Sequence, residues 1–153
     1  MRLLLAAAAA LSLAATAACG APSTQSPTSF MARNALAEGV QSLPSGVQYK
    51  ILKSGPATGP HPTPSDTVTV MYEGALTSGQ VFDSSYKTGK PVSFKLGQLI
   101  PGWIAAMQAM RPGDQWMIWI PPSLGYGPED TGPIPGNSVL VFRLELLAVN
   151  PSS

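Results

Sequence analysis

Beyond residue 44 this chain offers one segment fit to be a buried helix, and it is too short to stand alone. In "LGQLIPGWIAAMQAMRPGDQ", Leu96 to Gln115, Pro101 and Gly102 let the chain turn sharply into "GWIAAMQAM". Trp103, Ala106, Met107 and Met110 follow at i, i+3, i+4 and i+7, which is one helical face, and Ile104 adds to its edge. A helix of about two turns is not stable by itself in water, so the rest of the chain must hold it by packing. Trp103 is thereby expected to point inward at the helix start, where such a residue is more often core than part of a binding site.

The segments around it read as strands. "GVQYKILK", Gly46 to Lys53, alternates Val47, Tyr49 and Ile51 against Gln48, Lys50 and Leu52. "DTVTVMYEGAL" sets Val68, Val70 and Tyr72 against Thr67, Thr69 and Met71. This period of two predicts strands with two unlike faces. Further strands fit "PVSFKLG", "DQWMIWIP" and "NSVLVFRLELLAV". With 16 prolines and 15 glycines in a chain that is still 44% hydrophobic, the connections are turns within a globular domain, not disorder. The expected class is α+β: an antiparallel sheet curved over a single short helix. In "DQWMIWI" the alternation sends Trp116, Ile118 and Ile120 inward. Met117 and Trp119 are left on the convex face, to be covered by another element or to meet a partner.

Several kinds of chemistry lack parts here. A formal net charge of +1 with 11% charged residues gives no footprint for nucleic acid. The single histidine, His61, lies among prolines in "SGPATGPHPTPS" with no second ligand pattern beside it, so it reads as a solvated loop residue. No metal or cofactor is expected. The single cysteine, Cys19, allows no disulfide within the chain.

The N-terminus is read separately. "MRLLLAAAAALSLAATAAC" carries one basic residue, then an apolar run, then small residues, the order of a secretory signal over residues 1–18. "TAAC" followed by Gly20 resembles a bacterial lipoprotein box, with Thr16 where that motif usually has leucine. Lipidation of Cys19 is the first reading, and ordinary cleavage after Ala17 or Ala18 is the second. Either predicts an exported protein of the periplasm or cell envelope, touching the membrane only through a lipid. Residues 19–28 are expected to be a tether. "SFMARNALAEGV" is expected to form a short helix capped by Ser29 and stopped at Gly39, packing Phe30 and Leu36 on the domain or serving as an oligomerisation arm. Residues 29–43 thus hold a helix and linker, and 44–150 the domain, expected to be monomeric.

"VMYEG", "VFDSSY", "LIPGW", "GYG", "IP" and "LVFRLEL" occur in an order and spacing that resemble the FK506-binding class of peptidyl-prolyl isomerases, from about Pro44 to Val149. "FMARNALAEGVQSLPSGVQYKILKSG" also resembles the segment before that domain in exported bacterial members. The resemblance implies a half-barrel, a curved antiparallel sheet of five to six strands wrapped around one short helix, with a proline-binding hollow between them. It places Trp103 as the floor and Tyr72, Phe82 and Phe142 as aromatic walls. Leu99 and Val92 would line it, and Ile134 would be a lip. The backbone N–H of Ile100 and the hydroxyl of Tyr126 would receive substrate carbonyls. Asp83 would either cap the "SSY" turn or stand at the pocket edge, bonded to Tyr72 or polarising the strained amide. Two departures stand out: Val92 occupies a position where many members carry an aromatic residue, and the loop "GPEDTGPIPG" is slightly short and has no histidine.

The implied chemistry suits this composition. Twisting an X–Pro bond costs about 18–20 kcal/mol because amide resonance is lost, while cis and trans differ by about 0.5–1 kcal/mol. No bond breaks, so no nucleophile or cofactor is needed, only tighter binding of the twisted amide than of either planar form. The implied partners are proline-containing polypeptides and the family's macrolide inhibitor. The other reading is a module that holds proline-containing segments without catalysis.

Overall fold

The computed structural model describes residues 25–152. Seven strands form one antiparallel sheet: β1 (Val40–Ser42), β2 (Gln48–Lys53), β3 (Thr67–Leu76), β4 (Val81–Ser84), β5 (Val92–Lys95), β6 (Gln115–Ile120) and β7 (Leu140–Asn150). The hydrogen-bonded order is β1-β2-β6-β7-β3-β4, and β5 pairs with the N-terminal half of β3. The two helices are α1 (Pro27–Asn34) and α2 (Pro101–Met107). The expected architecture is present with two strands added. β1 and β4 span three and four residues, too few to display an alternation. β1 also carries the sheet into the stretch read as linker.

The core lies between the sheet and α2. Val68 and Val70 of β3, Ile118 and Ile120 of β6, and Leu140, Leu144 and Leu146 of β7 are fully buried together with Ala106, Met107 and Met110 from the helix side. Gly102 allows the helix to start against the sheet: a Cβ there would stand 2.5 Å from Ile120 Cγ2, closer than any side chain tolerates. Val47 is buried and Tyr49 stacks on Trp116 at 4.3 Å between centroids. Ile51 does not follow them inward. The β2–β6 register slips between Ile51 and Lys53 as the strand leaves the core, and Ile51 is exposed.

Helix α1 starts earlier than expected. Ser26, not Ser29, is the N-cap, its side chain accepting from the Ser29 N–H at 3.2 Å, with Pro27 in the first turn. The helix stops at Asn34, before Gly39, and buries none of its residues. Leu36 is 86% exposed, so it packs on nothing, while Phe30 is half-buried. Polar bonds seat this helix instead. Gln48, buried, donates from Nε2 to the Met31 carbonyl and accepts from Asn34 Nδ2, both at 2.8 Å. Gln48 sits opposite Trp119 in the ladder, which puts α1 on the convex face beside that tryptophan. Met117 and Trp119 are half-buried.

His61 is exposed but not free. Its Nδ1 lies 2.9 Å from the Met110 carbonyl and its Nε2 accepts from Arg111 Nε at 3.1 Å. A ring protonated on Nδ1 alone satisfies both bonds, and it ties the proline-rich loop to the turn that follows α2.

Candidate active site

The site begins where the chain enters α2. Ile100, the N-cap, is extended (φ −60°, ψ 148°), and its carbonyl accepts from the Trp103 and Ile104 N–H groups at 3.0 and 3.2 Å. Pro101 fixes the first helical residue and Gly102 closes on Ile120, so Trp103 can only project into the concave face, where it is 5% exposed. Its indole Nε1 is buried with no hydrogen-bond partner. Three rings meet Trp103 nearly at right angles: Tyr72 at 5.2 Å, Phe142 at 5.2 Å and Phe94 at 6.0 Å between centroids. Edge-on contacts of this kind are the favourable arrangement for aromatic quadrupoles. Phe82 closes the ring by meeting Phe142 at 5.7 Å and 88°.

Gly74 makes that last contact possible. A Cβ at this position would be 2.6 Å from Phe142 Cε1 and 2.8 Å from Phe82 Cε2. A strand glycine often marks such a close approach. The result is a hollow of about 190 Å³, lined by these five aromatic side chains with Leu99, Ile100, Asp83 and Tyr126.

The rim is polar. The Tyr72 hydroxyl donates to Asp83 Oδ2 at 2.6 Å, a short charge-assisted bond. Burial first, then the Asp83 carboxylate, push the Tyr72 phenol well above the usual tyrosine range. Asp83 itself is exposed, on β4 opposite Gly74. Tyr126, 40% exposed, stands across the mouth.

Tyr72, Phe82, Asp83, Leu99, Ile100, Trp103, Tyr126 and Phe142 are therefore brought to one hollow, and Val92 and Ile134 are not. Val92 is paired with Val70, and Phe94, two residues on and on the same face of β5, reaches Trp103 in its place. Phe94 is thus a lining residue of the hollow in its own right. The period-two alternation of "PVSFKLG" already placed Phe94 beside Val92, and that signal points to their shared face. Ile134 is not among the lining residues: it is 5% exposed, packs in the core, and is held by a two-way backbone bridge with Thr131. Cys19 lies outside the described residues.

The sequence profile described as FKBP-type peptidyl-prolyl cis-trans isomerase matches residues 59–147. The chain belongs to that family. A second profile, the domain amino-terminal to FKBP-type isomerases, matches residues 4–51. The outer membrane protein MIP of Legionella longbeachae is 46% identical over 125 residues, covering 81% of this chain and 53% of that protein. The crystal structure of FkpA from Escherichia coli superposes with a TM-score of 0.78 at 38% identity, covering 83% of this chain and 59% of that one. A peptidyl-prolyl cis-trans isomerase structure from Pseudomonas syringae pv. tomato gives a TM-score of 0.75 at 38% identity, covering 81% and 90%. The chain spans about half the length of the curated relatives it matches. The FKBP half-barrel accounts for the sheet and for α2, and the hollow above Trp103 lies between them. No helix among the described residues is long and apolar enough to cross a membrane.

Proposed function

We propose that this protein is a peptidyl-prolyl cis-trans isomerase acting on proline-containing polypeptides, and that the hollow above Trp103 is its active site. The observation that carries the reading is the composition of that hollow. Five aromatic side chains form floor and walls, and the one carboxylate, Asp83, stands at the rim. A proline ring inserted there leaves water behind. The planar amide is the more charge-separated form and loses more on leaving water than the twisted one does, so a dry pocket lowers the rotational barrier. About 4 kcal/mol from desolvation and geometry together corresponds to roughly a thousandfold in rate.

The roles follow from position. Trp103 supports the proline ring; Tyr72, Phe82, Phe94 and Phe142 exclude water. The Ile100 N–H, at the extended turn before Pro101, and the Tyr126 hydroxyl, at the mouth, hold the carbonyls that flank the rotating bond. Asp83, oriented by the Tyr72 hydroxyl, sets the field at the pocket edge without exchanging a proton with substrate. The family's macrolide inhibitor competes for the same hollow. The lipoprotein-like "TAAC" supports export and attachment through a lipid on Cys19, which would confine the clients to envelope proteins.

A protease-coupled assay on short peptides with varied residues before proline tests this. Bulky apolar residues there give the highest turnover, and Tyr126→Phe loses about fivefold, the loss of one hydrogen bond of about 1 kcal/mol. A wild-type protein that binds peptide or macrolide and leaves the isomerisation rate unchanged refutes the enzyme and leaves a holding module.

A further inference from the structure

We propose that Ser85 is a positioning residue for this site: its buried hydroxyl fixes the backbone of Tyr72 and so holds the Tyr72 phenol on Asp83. The inference rests on the isomerase reading above. Ser85 is 5% exposed, one of three buried polar or charged residues among those described. Both main-chain polar groups of Tyr72 turn toward it. The Ser85 N–H donates to the Tyr72 carbonyl at 2.9 Å, and the Tyr72 N–H donates to Ser85 Oγ at 2.8 Å. The same hydroxyl lies within donating distance of the Tyr72 carbonyl at 3.3 Å and of Met71 Sδ at 3.7 Å.

A side chain occupies a place that the ladder normally gives to a carbonyl. β4 ends at Ser84, and the Ser85 carbonyl is committed to the following turn, accepting from the Gly89 N–H at 3.1 Å and Thr88 Oγ1 at 3.0 Å. Without the hydroxyl, the Tyr72 N–H would be half-buried with no acceptor, a costly state for a backbone donor. The geometry concentrates the consequence on one residue. A single segment grips Tyr72 at both ends, Ser85 by its backbone and Asp83 by its phenol, while Phe82 beside them supplies a wall. Ser84 differs: its hydroxyl donates to Glu73 at 3.3 Å and touches nothing in the hollow.

The test is a double-mutant cycle read in kcat/KM: wild type, Ser85→Ala, Tyr72→Phe and the double variant, with Ser84→Ala as control. Ser85→Ala should lose about fivefold to tenfold in the wild-type background. The loss should shrink to about twofold or less when Tyr72→Phe has already removed the phenol, and Ser85→Cys should fall between serine and alanine. Ser84→Ala should match wild type. Equal losses in both backgrounds, or no loss in either, overturn the proposal. If Ser85→Ala does not fold, Ser85→Cys is read in both backgrounds by the same rule. The 13Cζ resonance of Tyr72 provides a readout independent of turnover. It should move toward that of an exposed tyrosine in Ser85→Ala as the bond to Asp83 loosens, and an unmoved resonance overturns the proposal. If the wild type proves inactive, the isomerase reading falls and this resonance alone decides the role of Ser85.

Discussion

Gly74→Ala is the smallest change that should damage the hollow without touching any group assigned a chemical role. The added methyl would lie 2.6 Å from Phe142 Cε1 and 2.8 Å from Phe82 Cε2, whereas ordinary contact begins near 3.4 Å. The differences, 3.4 − 2.6 and 3.4 − 2.8, require Phe142 to retreat by about 0.8 Å and Phe82 by about 0.6 Å, or the strand to bend by as much. Phe142 is buried against Trp103 and has little room, so an overpacking cost of about 1–3 kcal/mol is expected. Because displacements of about 1 Å in a reacting geometry cost up to a hundredfold, kcat/KM for a peptide substrate should fall by roughly ten- to a hundredfold. Gly79→Ala separates instability from pocket damage. That residue sits at the β3–β4 turn with φ +92° and nothing within 4 Å of a would-be Cβ. It should also destabilise by about 1–2 kcal/mol, through backbone strain alone, yet keep its activity at a temperature where it is folded. Thermal melts and the protease-coupled assay on both variants decide it. A Gly74→Ala protein with wild-type turnover would show that the Phe82–Phe142 contact does not shape the site, and equal activity losses in the two variants would reduce the effect to instability.

Asp83→Asn keeps shape and an acceptor for Tyr72 while removing charge, so kcat should fall about threefold to tenfold with KM changed less; rapid-mixing kinetics separate the two. The Thr63 N–H, donating to Asp66 Oδ2 at 2.8 Å, holds the Asp66 carboxyl below the ordinary carboxylate range. Its stabilising contribution is therefore complete only well above the unfolded carboxyl's value, from about pH 5 upward, and is lost as pH falls through the lowered folded value; denaturant melts across that acid range should show the wild type losing stability that Asp66→Asn has already lost. Mass spectrometry of the mature N-terminus should find it at Cys19 and lipid-modified; a chain starting at Gly20, or an unmodified cysteine, would remove the anchor.

What the sequence made legible, and what it hid, divides by the length over which each signal is averaged. The face Trp103, Ala106, Met107 and Met110 recurs over two turns and all four are buried, although α2 itself ends at Met107 and Met110 follows in the turn beyond it. The ten residues of β3 and eleven of β7 alternate long enough to declare themselves; the site residues came from the family resemblance instead, and eight of the ten it implied meet in one hollow. Misplacements came where a local choice was settled by a distant partner. Ser26 and Ser29 are both chemically suited to cap α1, and Pro27 between them was the cue that the helix starts earlier. Phe94 is marked by the alternation of β5, which puts it on the same face as Val92, but four residues of strand do not say which of the two side chains reaches the hollow. Ile134 was placed at the rim by the family resemblance alone; the Thr131 bridge holds it against the core. Ser85 and Gly74 carry no sequence mark that sets them apart from Ser84 or from any strand glycine. Their importance comes from the β3–β4 register, which brings the Phe82–Ser85 segment against Tyr72 and Gly74.

The central claim, that the aromatic hollow turns the X–Pro bond and does not merely hold it, is tested most directly by cis–trans exchange in a proline peptide. The exchange is followed by NMR with catalytic amounts of protein at 10 °C, where the uncatalysed process takes minutes. The account predicts an exchange rate that rises in proportion to protein, is abolished by the competing macrolide, and is reduced in Gly74→Ala and Tyr126→Phe. Peptide resonances that shift on binding while the exchange rate stays at its uncatalysed value would contradict it.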